Sequence, residues 1–304
     1  MRLNERVMAG LLLLAAGAAN SQGTPLLRPD APKNCPACDA WNRKQEPFRI
    51  FGNTYYVGVA GLSAVLVASD AGHILLDGDL PQSAPLIDEN IRALGFRTQD
   101  VRLIVNSHAH YDHTGGIAAL QKLSGAVVAA SPAGARALQR GEPSPDDPQY
   151  AFGRESNAFP AVQTVRVVSN GETLRVGELA ITAHFTPGHT PGSTTWTWRA
   201  CEGARCLDVV YADSLNAVSA PGYRFTQQTS VVETFRRSIA LMQSLPCDIL
   251  ISVHPKFSDL IGKLERRVSG ADVSPFINAH ACRDYASAAA QSLDRRIAAE
   301  GQER

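Results

Sequence analysis

The segment Ser107–Gly116, S-H-A-H-Y-D-H-T-G-G, follows directly on the apolar run Val101–Val105 and constrains this chain more than any other stretch. A strand end that feeds a glycine-rich turn puts its side chains at the rim of a sheet, where ligands are commonly gathered. His108 and His110 are two apart, so in an extended segment both point to one side and can share one metal ion. Asp112 and His113 come after the chain has begun to turn and can serve a second ion close by. A mixed set of imidazoles and a carboxylate suits zinc. Chance solvated residues on a surface turn are a poor account of three His and one Asp within six positions, in a chain with only eight His.

Two further histidines extend the pattern. His189 sits in T-P-G-H-T-P-G after an expected strand at 179–185, and His254 ends the apolar run Asp248–Val253 before Pro255. The expected ligand sets are therefore His108, His110 and His189 for one ion, and Asp112, His113 and His254 for another. Three protein ligands per ion leave open positions, which marks a catalytic site. Such a dinuclear site lowers the pKa of a bridging water and supplies hydroxide near neutral pH, so the reaction class is hydrolysis of an amide, ester or thioester. His73, His184 and His280 read as packing or surface residues. Asp77, before Gly78, reads equally as a turn residue or as a hydrogen-bond partner for a ligand imidazole.

The surrounding pattern organises into two series. Strands are expected at 48–59, 62–68, 73–77 and 102–106, with helices at 81–94, 114–123 and 132–139 and a buried strand at 126–130. A second series has strands near 165–168, 172–176, 179–185, 193–199 and 207–212, a helix at 229–244, a strand at 248–253 and a long helix over 276–299. Two facing sheets with helices outside fit this order better than a doubly wound parallel sheet. Residues 141–160 form a long loop without periodicity, a kind that is usually functional.

Residues 1–19 carry Arg2 and Arg6 ahead of the apolar run Val7–Ala19 and read as a signal peptide, too short to span a bilayer. Cleavage after Ala18, Ala19 or Ser21 would leave an irregular arm over 20–47 and one domain over 48–304, in an oxidising compartment such as a bacterial periplasm. Six cysteines agree with that compartment. Cys201 and Cys206 suit a bridge across a hairpin tip, and Cys247 with Cys282 would close a long loop. Cys35 and Cys38 could be a redox pair or half a metal site, but they follow a Pro-rich arm instead of a strand and read best as a structural disulfide. Lys plus Arg and Asp plus Glu are 29 each, so no basic field holds nucleic acid. A small-molecule substrate, no membrane contact after processing and a monomeric state are the expectations.

With H-A-H-Y-D-H, G-G, His189 and His254 in place, the chain resembles the metallo-β-lactamase superfamily from about Phe48 onward. The resemblance implies an α/β fold, a four-layer αβ/βα sandwich with two zinc ions at the open edge between the sheets. Within it, Y-A-D-S-L-N at 211–216 looks like subclass B3, where Ser replaces a zinc-ligating Cys. The resemblance implies the two ligand sets above, Asp112 orienting the attacking water, and Ser214 and Asn216 holding a substrate carboxylate. It agrees with the 201–206 and 247–282 disulfides, whereas the Cys35–Cys38 pair departs from it. The implied activity is zinc-dependent β-lactam hydrolysis. The alternatives are a lactonase or glyoxalase II-like thioesterase, for which Asp213 would be a bridging ligand, and a non-catalytic zinc-binding module.

Overall fold

The computed structural model describes residues 27–272 and 274–302, so the expected signal peptide lies outside the described residues. Among the described residues, seven strands lie side by side in sequence order in a first sheet. They are β1 (Phe48–Phe51), β2 (Thr54–Tyr56), β3 (Val65–Val67), β4 (His73–Leu76), β5 (Val101–Val105), β6 (Val127–Ala130) and β7 (Val165–Val167). The second sheet runs β12-β11-β10-β9-β8, from β8 (Thr173–Val176), β9 (Leu179–Phe185), β10 (Thr194–Glu202), β11 (Arg205–Ala212) and β12 (Ile249–Ser252). Neighbours from β4 to β7, and β11 with β12, are parallel, and each of these steps needs a crossover.

Helices supply the crossovers: α2 (Ala84–Ala93), α3 (Tyr111–Thr114), α4 (Ile117–Ser124), α5 (Pro132–Arg140), α6 (Arg154–Asn157) and α7 (Thr229–Ser244); α1 (Cys38–Trp41) precedes β1, and α8 (Leu260–Val268) and α9 (Ala281–Gln302) follow β12. Period-two alternation sorts the side chains into layers. Ile74, Leu103 and Val105 meet Trp196, Val209, Tyr211 and Ile251 between the sheets. Their neighbours Leu75, Ile104 and Val128 face outward onto Ile87, Ile117 and Leu138 of α2, α4 and α5. Val210 and Leu250 do the same for Phe235 and Ile239 of α7 and Leu293 of α9. This is the expected four-layer αβ/βα sandwich, and burial on both faces explains why the central parallel strands read as unbroken apolar runs.

Local chemistry sets the element ends. Ser131 caps α5 by accepting from the Gly134 amide at 3.2 Å, Pro132 opens the helix, and Gly141 at φ 71° closes it. All six cysteines are paired as read, with Cys201–Cys206 joining opposed residues of the β10–β11 hairpin and Cys247–Cys282 tying the start of β12 to α9.

Several expectations are corrected. The 165–168 strand belongs to the first sheet, paired parallel with β6, and not to the second series. The closing helix starts at Ala281 instead of 276, because Phe276 is buried between the sheets and Ile277 bridges to Ile249; His280 lies just before it. Helix α8 was not anticipated, the arm contains α1, and the 141–160 loop contains a 3-10 turn at Tyr150–Phe152 followed by α6.

Candidate metal centre

β5 ends at Val105, the chain bends at Ser107, and His110, with φ −104° and ψ 154°, stands at the N-cap of α3. The His110 carbonyl accepts from the amides of His113 and Thr114 and from the Thr114 hydroxyl, which turns the chain sharply after the first two histidines. The strand end beneath is braced. Asp77, held at φ 59°, accepts from the Ser107 amide (2.8 Å), the Ser107 hydroxyl (2.6 Å), Asn106 Nδ2 (3.0 Å) and the Tyr211 hydroxyl (2.9 Å). Gly116 lets the two segments meet, since a Cβ there would lie 2.3 Å from the Gly78 carbonyl oxygen. Gly188, at φ 150°, does the same for the His189 turn, where a Cβ would overlap the Phe235 ring.

The structure brings the first expected set together. His108, His110 and His189 are buried, and their ring centroids form a triangle with sides of 4.7 to 5.0 Å. One ligand-capable atom from each lies within 4.8 Å of the others, and the same holds for His108, Asp112 and His113. The second expected set converges on one carboxylate oxygen: Asp112 Oδ2 is 3.4 Å from His113 Nε2 and 3.5 Å from His254 Nε2. The rings of His108 and His113, 4.3 Å apart, join the two sets.

What the outer nitrogens do shows how the donors are aimed. His108 Nδ1 is 2.6 Å from Asp213 Oδ1, His110 Nε2 is 3.1 Å from Asp147 Oδ2, and His189 Nδ1 is 2.8 Å from the Asn216 carbonyl oxygen. His254 Nδ1 is 3.2 Å from the Gly61 carbonyl oxygen. Each of these contacts fixes a tautomer and leaves the other nitrogen turned inward. His108 Nε2 and both nitrogens of His113 are buried without any hydrogen-bond partner, a cost that a metal ion would relieve.

Charge states agree. Burial pushes the pKa values of His108 and His113 well below the usual imidazole range, with neighbouring imidazoles adding to it, and lowers those of His189 and His254, the last to about 4. Neutral imidazole is the form that binds metal. His110 differs: burial pushes it down, but the carboxylates of Asp147, Asp112 and Asp213 outweigh burial and raise it. Burial holds the Asp77 carboxyl up at about 7.

Of the other residues singled out from sequence, Asp77 stands 4.0 Å from His113 Nδ1, beyond hydrogen-bond length, and serves the Ser107 turn instead. Ser214 is buried after β11, and Asn216 bears on the site through its carbonyl. Asp213, the would-be bridging ligand, stands behind the His108 ring on its outer nitrogen. His184 bonds Thr197 within the second sheet, and His73 packs on Phe96. Sequence reading missed Asp147, carried by the long loop, and the arm: the Trp41 ring lies tilted against that of His254, 5.4 Å between centroids, and Lys33 donates to the carbonyls of Glu155 and Ala158.

Fold and centre together define a metal-dependent hydrolase, and residues 57–252 match the profile of the Metallo-beta-lactamase superfamily. The chain belongs to that family. Among solved structures it is similar to the Rm3 metallo-beta-lactamase, with 50% identity, 88% of this chain and 100% of that chain covered, and a TM-score of 0.85. It is similar also to MEM-A1, a subclass B3 metallo-beta-lactamase from a soil metagenome library, with 48% identity, 87% and 100% covered, and a TM-score of 0.82. A probable metallo-hydrolase of Burkholderia pseudomallei is 33% identical over 172 residues, 54% of each chain, so this chain spans about half the length of that curated relative.

Proposed function

We propose that the chain is a subclass B3 zinc β-lactamase that opens the amide of penicillins, cephalosporins and carbapenems, acts in the periplasm after loss of residues 1–19, and confers antibiotic resistance. The observation that carries this is the convergence of inward-facing imidazole nitrogens and Asp112 in two adjoining sets. Full-length likeness to B3 enzymes favours the lactam over a thioester or lactone. Asp213 places one carboxylate oxygen on the outer nitrogen of His108, which favours a supporting role over the bridging one that the thioesterase reading requires.

In this reading His108, His110 and His189 hold one zinc ion, and Asp112, His113 and His254 hold the other. When bound, zinc supplies an activated water and a Lewis acid for the carbonyl. Asp112 orients the attacking water, takes its proton and delivers it to the lactam nitrogen as the carbon–nitrogen bond breaks. Ser214 and Asn216 hold the substrate carboxylate, and the Asp147 loop walls the groove. Because water attacks directly, no acyl-enzyme forms.

The test is direct. Zinc-loaded protein is expected to hydrolyse a chromogenic cephalosporin, to stop with EDTA, and to ignore clavulanate-type inhibitors of serine enzymes. Zinc-loaded protein without turnover would overturn the reading.

A further inference from the structure

The Cys35–Cys38 disulfide has no part in the reaction described above, yet it lies beside one half of the centre. It spans three positions, against 35 for Cys247–Cys282, so it constrains the unfolded chain less and adds less to overall stability. What it holds is local. Cys38 opens α1, a single turn of four residues that is too short to persist alone. The Cys38 side chain is buried among Val59, Leu62 and Leu80, with Trp41 and Tyr111 packed against the same cluster. From there the arm reaches the second ligand set in two ways. The carbonyls of Trp41 and Arg43 accept from the amides of Gly61 (3.0 Å) and Ala60 (2.9 Å), and the Gly61 carbonyl in turn faces His254 Nδ1 at 3.2 Å. The approach is close, since a Cβ on Gly61 would lie 2.5 Å from Trp41 Cδ1 and 2.7 Å from Trp41 Cα. Tyr111 is the other contact, and it opens the α3 turn that carries Asp112 and His113. The outer nitrogens of the first set end instead on Asp213, Asp147 and Asn216, none of them in the arm.

We propose that the arm from Cys35 to Trp41 is a positioning element for the second ligand set. Pinned by its own disulfide, it holds the Gly61 carbonyl against His254 and braces α3, and so sets how tightly the second zinc ion is retained. It contributes no ligand of its own. The Trp41 ring, tilted against the His254 ring at 5.4 Å, limits how far that imidazole can swing from the ion. Loss of a group bonded directly behind a metal-bound imidazole typically weakens binding about 10–100-fold. The arm stands one hydrogen bond further back, so its effect is expected to be smaller, about three- to tenfold. The proposal rests on the two-zinc reading of the centre.

The experiment is chelator titration of the zinc-loaded protein, repeated on cobalt-substituted protein with its visible absorption as a second readout. Trp41→Ala and the double variant Cys35→Ser/Cys38→Ser should each bind the second ion about three- to tenfold more weakly, with the first ion within about twofold of wild type. The cobalt bands that the second ion contributes should shift in both. Trp41→Phe, which keeps a ring against His254, should restore most of the retention. A disulfide that merely staples the arm would lower the melting temperature without separating the two ions. The double cysteine variant carries the test if Trp41→Ala does not fold. The proposal is overturned if a folded variant holds the second ion as wild type does, or if both ions loosen in parallel. Wild type that binds a single ion would overturn the two-zinc reading as well, whereas two ions held equally by wild type and variants overturn this proposal alone.

Discussion

The two ligand sets differ in how firmly their imidazoles are held. In the first, every ring has its outer nitrogen on an acceptor, two of them carboxylates, at 2.6 to 3.1 Å. In the second, His254 has only the Gly61 carbonyl at 3.2 Å, and both nitrogens of His113 lack a partner, with Asp77 at 4.0 Å. A carboxylate behind an imidazole raises its basicity and fixes its direction, so the first set is prepared for metal before metal arrives. The second is aimed mainly by the α3 turn. One centre can thus combine a firmly held ion with a more exchangeable one.

The strongest way to break this contrast is Asp213→Ala. Wild-type protein titrated with chelator is expected to release zinc in two steps, the ion of the second set first. Loss of the carboxylate behind His108 should weaken the first set about 10–100-fold and draw the two steps together. Two well-separated steps in the variant, at wild-type chelator concentrations, would show that Asp213 does not stiffen the set.

A smaller effect concerns pH in metal-free protein. His108, His113, His189 and His254 have lowered pKa values and are neutral when folded, so unfolding lets them take up protons. Their contribution is present above the unfolded value of about 6.5 and is lost as pH falls toward the folded values. His110 runs the other way. Paired with Asp147, it favours the fold below about 6.5 and loses that contribution as pH rises through its raised pKa. Acidification from neutrality sets these four imidazoles against His110 and the buried carboxyls of Asp77, Asp79 and Asp213, whose pKa values burial raises and which also favour the fold at lower pH. Asp147→Asn removes the His110 contribution, so the melting temperature of the chelated variant should fall more, or rise less, than that of wild type between neutrality and about pH 6; an unchanged slope would mean the pair is not formed without metal.

The same contrast explains what was legible in the sequence. Ligands of one set crowd into six residues, and their chemical type announces metal whatever the fold. Their supports do not. Asp213 and Asp147 reach His108 and His110 across 105 and 37 residues; nothing local separates Asp147 from the chain's other acids, and Asp213 stands out only through the family resemblance, in the role of a bridging ligand. Sheet membership fails for a similar reason. β7 has three residues, one partly buried and two exposed, and only its parallel pairing with β6 assigns it a sheet. Helix α8 buries only Leu260 and Lys263 and contains Gly262, so its apolar stripe is thin. The alternating strands and α7, by contrast, bury full faces and lie within a few residues of expectation.

The finest test of the contrast is Tyr211→Phe. The Tyr211 hydroxyl is buried between the sheets and donates to Asp77 Oδ2 at 2.9 Å. Asp77 in turn holds the Ser107 turn from which His108 and His110 project, and stands behind His113 without touching it. Removing the hydroxyl leaves a buried carboxylate short of one donor, which costs stability by about 1–3 kcal/mol. Asp77 keeps three donors from Asn106 and Ser107, so the first set should bind zinc nearly as before. Any loss should be a few-fold at most and confined to the second ion, because the Asp77 carboxylate can then shift relative to the unheld His113 ring. Thermal melting reads the first effect and chelator titration the second. A larger loss at the first ion than at the second would reverse the order of firmness argued for the two sets.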